Sequence, residues 1–450
     1  MPTNDLSPNS TPSKLDRIYQ LLVQDEDARV CKDISVEACR VVPGNFFLQI
    51  LAHFFTKLGD AIANPKTVLA WILSALSAPG LFTALLVPIR ESGSLIPQLV
   101  IASYVRSQAL RKWAYVLGCI LQGVAIAAMA LVALTLSGTA AGLGIIAALV
   151  LFSLARGLCS VASKDVLGKT IPKTRRGRVS GWSASLAGLV TVGVGALLLF
   201  GLGGGNENLG LYAGLLLLAA LLWGLAAITY ATIREEPGAT SGGANALTEA
   251  FARLRLLIDD APFRRFVIAR SLLLCSALTA PFMVMLAHQQ TAAVAALLGA
   301  FVIADGLANL LAAPFWGRFA DVSSRRVMVY AGAAAAAAGA LLVALVTLIP
   351  PLAGVAWLYP LFFFVLAVAH AGVRLGRQTY VVDLAGGNKR TDYVAVSNTV
   401  IGIVLLLTGM VGLLTTVLPV SGIILLLSAM GFAGAWLSAK LPEVTTEPTA

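Results

Sequence analysis

Apolar residues come in runs of about twenty from Phe46 to Leu441, separated by short polar turns. A run of that length is what an α-helix needs to cross about 30 Å of hydrocarbon at 1.5 Å per residue. Twelve can be placed, near 46–70, 80–105, 113–136, 142–165, 181–201 and 209–232, then 264–287, 294–315, 327–349, 353–375, 395–418 and 421–440. Gly and Pro fall inside several of them, as membrane helices tolerate. The pattern predicts an all-α membrane protein with twelve transmembrane helices. Glu235-Glu236-Pro237-Gly238 and Ser241-Gly242-Gly243 break the spacing midway, so residues 233–262 read as a cytoplasmic linker between bundles at 46–232 and 263–440. Within the linker, Leu247–Ile258 regains apolar spacing and reads as a surface helix. Residues 1–45 and 441–450 read as polar tails, with a short amphipathic helix at Leu15–Val23. The first tail has no positive stretch leading into a short apolar core, which predicts a cytoplasmic tail rather than a cleaved signal peptide.

Composition agrees. The chain is 58% hydrophobic and 12% charged, whereas soluble domains carry about 25% charged residues. The distribution of the charge matters more than its amount. The turns near 71–79, 137–141, 202–208, 288–293, 350–352 and 419–420 contain no Lys or Arg. The opposite turns hold Arg106, Arg111 and Lys112, then Lys164 to Arg178 with six basic residues, then Arg318, Arg325, Arg326, Lys389 and Arg390. Basic loops stay cytoplasmic during insertion, which predicts both termini inside and a multi-pass protein of the cytoplasmic membrane. The same asymmetry, with attraction to anionic lipid heads, accounts for the net charge of +10 without nucleic-acid binding.

The cysteines add little. Cys119, Cys159 and Cys275 sit within apolar runs, where they pack as small hydrophobes. Cys31 and Cys39 fall in the tail at a spacing that matches no zinc knuckle. There is no phosphate-binding Walker loop, nucleophile–base spacing or zinc-protease helix, so the sequence predicts no enzyme, metal or cofactor. The missing Walker loop also excludes an ATP-driven pump built into this chain.

Charges inside the apolar runs are the functional lead, because each costs about 2.5–3.5 kcal/mol at a helix centre on insertion scales. His53, Lys57, Asp60 and Asn64 are spaced 4, 3 and 4 apart and share one face of the first helix. Arg90 and Glu91 lie in the second, at the level of Asp60, so Asp60–Arg90 and Lys57–Glu91 pairs can form. Such pairs could couple transport to protons or merely clamp two helices together. Arg156 lies in the fourth helix, Arg270 in the seventh, Asp305 and Asn309 in the eighth, and His370 and Arg374 in the tenth. The arginines hint at an anionic solute, although Arg near a helix end can also snorkel.

Trp316-Gly317-Arg318-Phe319-Ala320-Asp321-Val322-Ser323-Ser324-Arg325-Arg326 is a charged turn wedged between two apolar runs. It resembles the G-x-x-x-D-x-x-x-R-R loop of major facilitator superfamily (MFS) transporters, of the bacterial inner-membrane type. An offset of 215 places Arg111 on Arg326, Gly157 on Gly372 and Val179 on Val394, implying a duplicated six-helix half. The first copy departs from the motif, with Ala102 for glycine and Arg106 for aspartate. The resemblance covers roughly 46–440. It implies two six-helix bundles with helices 1, 4, 7 and 10 around a central cavity, and a loop tied to the conformational switch. Gly317 would then allow a close helix approach, and Asp321 would accept hydrogen bonds at a helix N-terminus or pair with Arg325. Arg106 would pair with Asp165. The implied function is a secondary transporter working by alternating access on a small solute, with protons as the coupling ion and Asp60 or Glu91 carrying them. It would work as a monomer. A lipid or lysolipid flippase on the same scaffold, or a non-transporting membrane sensor acting through residues 1–45, is the alternative.

Overall fold

Prolines set where the first two rods break. The computed structural model describes residues 41–200, 209–238, 240, 254–291, 295–384 and 390–444. Helix α1 (Val42–Ile62) stops at Asn64-Pro65-Lys66, and α2 (Val68–Ala75) resumes the rod. Pro65 has no N–H to donate and turns Asn64 away from helical geometry. The Asn64 side chain accepts the Lys66 N–H at 2.9 Å and closes the turn. Helix α3 (Gly80–Leu95) is divided in the same way from α4 (Gln98–Ser107), with Pro97 between them. Then come α5 (Lys112–Thr135), α6 (Gly138–Thr170), α7 (Lys173–Phe200) and α8 (Leu209–Ala231).

Of the linker helix expected over Leu247–Ile258, only the end falls among the described residues, as a single helical turn, α9 (Leu256–Asp259). Residues 241–253 and the expected tail helix lie outside the described residues. The second half comprises α10 (Ala261–Leu272), α11 (Cys275–Gln290), α12 (Ala295–Val322), α13 (Ser324–Leu348), α14 (Leu358–Leu384), α15 (Arg390–Gly409, continued by a 3-10 turn) and α16 (Val420–Ala439). Among the described residues, nine helical stretches are long and apolar enough to span a bilayer, α10–α11 counting as one. The shorter apolar stretch in α12 and the proline-broken rods α1–α2 and α3–α4 bring the set to one compatible with twelve.

The duplication is visible in packing. A Cβ built at Gly157 would lie 2.9 Å from Ile101, and one at Gly372 would lie 2.5 Å from Trp316. Both members of each contact are 215 residues apart from their counterparts. The outer pairs also correspond, α5 packing on α8 and α13 on α16.

The two halves meet along α7–α12 and α3–α15. Gly195 and Gly299 bring α7 and α12 into backbone contact, and Gly402, Gly409 and Gly412 admit α3 side chains. Ser92 Oγ donates to the Gly402 carbonyl at 2.8 Å, and Trp71 meets His288 edge-on at 5.0 Å. These contacts lie in the part of the bundle remote from the basic turns. Towards the basic end, none of α6, α10 and α14 packs extensively against the opposite half among the described residues, and Gly181 and Gly188 of α7 line the space between the halves. The halves therefore close at the non-basic end and splay at the basic end.

Candidate functional site

Between the halves lies a cavity of about 810 Å3, within the usual range for a small-molecule site. Helix α1 contributes Lys57 and Asp60, and the α1–α2 break contributes Asn64 and Lys66. Arg90 and Glu91 enter from α3 and Arg156 from α6. From the second half come Ser276, Asp305, Asn309, His370 and Arg374.

These charges are paired unevenly. Arg90 Nη2 lies 2.8 Å from Asp60 Oδ1, and the guanidinium stacks over Phe152 at 5.1 Å. Arg90 is buried while Asp60 faces the cavity. Glu91 lies 4.0 Å from Arg156, a looser pair whose Arg156 Nη1 has no hydrogen bond. Lys57 donates to the Ser180 carbonyl at 2.9 Å rather than to Glu91. Asp305 has no cation within ion-pair distance among the described residues, and Lys66 and Arg374 act on it from further off. Its Oδ2 accepts from Asn64 at 3.0 Å, across the interface between halves, and from Asn309 at 3.2 Å. His370 Nδ1 meets Ser276 Oγ at 3.0 Å.

One expected cavity residue, Arg270, lies elsewhere, as does His53 from the shared face of the first helix. Arg270 is buried against α15, where it donates to Ser397 and, at 2.9 Å, to Asn398, tying α10 to α15. His53 packs edge-on against Tyr115 and Tyr230, because its position one turn before Lys57 falls beneath α5 and α8. Lys66 is the residue that the helical spacing missed. It follows the proline break, so continuing the α1 face past Asn64 could not locate it.

The basic turns form one clasp in each half. In the first, Arg111 pairs with Asp165, and Lys169 Nζ lies 3.4 Å from Asp165 and 3.1 Å from the buried Glu235. Glu235 also accepts the N–H groups of Arg111 (3.1 Å) and Lys112 (2.7 Å), where the start of α5 leaves donors free. In the second, Glu443 accepts from Ser323 Oγ at 2.8 Å and from Arg325 Nε at 3.1 Å. Arg325 also donates to the carbonyls of Ala439 and Leu441. Glu235 and Glu443 each stand four residues past the end of the last helix of their half.

The expected pairs of Arg106 with Asp165 and of Asp321 with Arg325 each fall on a side chain outside the described residues, that of Arg106 and that of Asp321. Asp165 takes Arg111 as its partner, and Arg325 engages Glu443. Arg326 is exposed. Gly317 faces open space, so it supports no close approach; the tight contact in that region is Gly372 against Trp316. At the start of α10, Asp260 accepts the Phe263 N–H at 2.9 Å and the Tyr393 hydroxyl. Burial, with the neighbouring carboxylate, pushes the Tyr393 hydroxyl up to about 12, so it remains a donor at neutral pH.

No protein-family model matches the sequence, and no curated protein matches it either. Solved structures do resemble it. The inward open xylose transporter XylE from E. coli has a TM-score of 0.64 at 13% identity, covering 89% of this chain and 97% of that one. A D-xylose-proton symporter has a TM-score of 0.65 at 14% identity, covering 91% and 99%. A POT family transporter in complex with 5-aminolevulinic acid has a TM-score of 0.63 at 11% identity, covering 87% and 95%. The fold is that of major facilitator superfamily transporters.

Proposed function

We propose that this chain is a secondary active transporter, which moves a small solute across the cytoplasmic membrane by alternating access and couples that movement to protons. One observation carries the reading: a charged cavity is lined from both halves, which pack together towards one end of the bundle and not towards the other. Rocking of two pseudo-equivalent bundles about such a site is how repeat-built carriers expose it to each side in turn. With the basic turns cytoplasmic, the state described here faces inward.

The pairing pattern favours Asp305 over Asp60 and Glu91 as the proton carrier. Arg90 hydrogen-bonds Asp60 at 2.8 Å, and Arg156 faces Glu91. Asp305 is held by two neutral amides. Protonation would remove the charge that strengthens the Asn64 bond, and that bond joins the two halves. Proton binding and bundle position are thereby linked.

The test is proton-gradient-driven uptake in proteoliposomes, using a labelled solute chosen by counterflow screening of carboxylates, sugar phosphates, sugars and amino acids. Asp305→Asn is expected to lose accumulation while retaining solute exchange. Accumulation by Asp305→Asn with unchanged pH dependence would refute the coupling role. Failure of the purified protein to exchange any of these solutes would refute transport.

A further inference from the structure

From the charge balance of the cavity, we infer that the transported solute is a small organic dianion, a dicarboxylate or a phosphate monoester, held between Lys66 of the first half and Arg374 of the second. The inference rests on the transporter reading and names its substrate class. Five cations line the cavity against three carboxylates, an excess of two positive charges. Asp60 is taken by Arg90, and Glu91 faces Arg156. Asp305 is satisfied by Asn64 and Asn309. Neither Lys66 Nζ nor the Arg374 guanidinium has a hydrogen bond or ion-pair partner among the described residues, and the Arg374 side chain is exposed to the cavity.

An unneutralised cation inside a membrane bundle is costly, and such residues ordinarily pair or mark a solute path. Here Lys66 and Arg374, one on each bundle, lack a direct partner, and Asp305 acts on both only from beyond ion-pair distance. A doubly charged solute would neutralise both and bridge the halves, so that binding favours their approach at the open end. The guanidinium suits carboxylate or phosphate oxygens in a bidentate geometry, and the ammonium suits them as a point charge. Asn309 and Ser276 remain on the wall for hydroxyl groups. A cavity of about 810 Å3 has room for a solute of this size.

The experiment measures binding to the purified full chain in nanodiscs by calorimetry, with succinate, malate, glucose 6-phosphate and inorganic phosphate against glucose and lysine. At least one dianion is expected to bind at neutral pH, with glucose and lysine silent. Arg374→Gln and Lys66→Gln should each weaken binding about 10- to 100-fold, the loss of one charge-assisted contact. Arg374→Lys should retain part of it, and Lys440→Gln should change nothing. Monodisperse elution of each variant separates lost binding from lost folding; if Arg374→Gln does not fold, Lys66→Gln decides. Binding of glucose or lysine with none of the four anions would overturn the inference. So would silence from all four at millimolar concentration, or anion binding indifferent to both cations. If a neutral solute is then exchanged in proteoliposomes, transport stands and the anion assignment falls. If a dianion binds through Lys66 and Arg374 but nothing crosses the membrane, the site stands and transport falls.

Discussion

Gly299 is the position at which one added carbon should shift the balance between the two faces. A Cβ there would lie 2.6 Å from the Leu199 nitrogen and 2.7 Å from the Gly195 oxygen, whereas ordinary contact begins at 3.4 Å. Both obstacles are backbone atoms, so no rotamer change relieves the overlap. Helices α7 and α12 must separate at the non-basic end. Forced overpacking of this kind costs about 1–3 kcal/mol. The cost falls only on conformations closed at that end, which corresponds to a shift of about 5- to 150-fold towards conformations open there. Ala184 lines the cavity and is exposed to it, so an Ala184→Cys reporter can be read with a membrane-impermeant maleimide applied from the non-basic side. Labelling should be slow in the parent protein and markedly faster with Gly299→Ala. Gly181→Ala is the control, because no atom lies within 4 Å of a Cβ at that position. Unchanged labelling in folded Gly299→Ala and Gly299→Val proteins would refute the reasoning.

Two further perturbations address the charges. Arg90→Gln strands Asp60 without its cation and should cost about 3–5 kcal/mol of stability, read as a lower melting temperature; adding Asp60→Asn should recover most of the loss, and no recovery would contradict the pairing. Glu235→Gln removes the buried anion that holds Lys169 and caps α5, at a cost of about 1–2 kcal/mol; exchange should slow while solute affinity in the cavity stays unchanged, and an equal loss of affinity would show that the clasp acts on the site itself.

Much of this was legible in the sequence because hydrocarbon imposes simple rules. Helix positions and the segregation of basic turns follow from run length and charge, and the 215-residue repeat from matched residues such as Gly157 and Gly372. Asp60–Arg90 was legible too, since both residues lie at one depth on adjacent helices. Contacts that depend on a third helix were not. Glu91 meets Arg156 and Lys57 meets Ser180 because α6 and α7 approach the first two rods, and spacing within α1 or α3 holds no record of that. Arg270 was expected in the cavity on depth alone, but the rotation of α10 turns it towards Ser397. Lys66 was hidden by the Pro65 break, beyond which helical periodicity no longer tells where a side chain points.

Alternating access is tested most directly by paired distances at opposite ends of the bundle. Spin labels at Leu136 and Trp357 report the non-basic end, and labels at Lys164 and Gln378 report the basic end; all four positions are exposed. The account predicts reciprocal change: a population in which the Leu136–Trp357 distance lengthens while the Lys164–Gln378 distance shortens, enlarged by Gly299→Ala and responsive to pH. Single, unchanging distributions at both ends, in the presence or absence of succinate or a proton gradient and with or without Gly299→Ala, would contradict it.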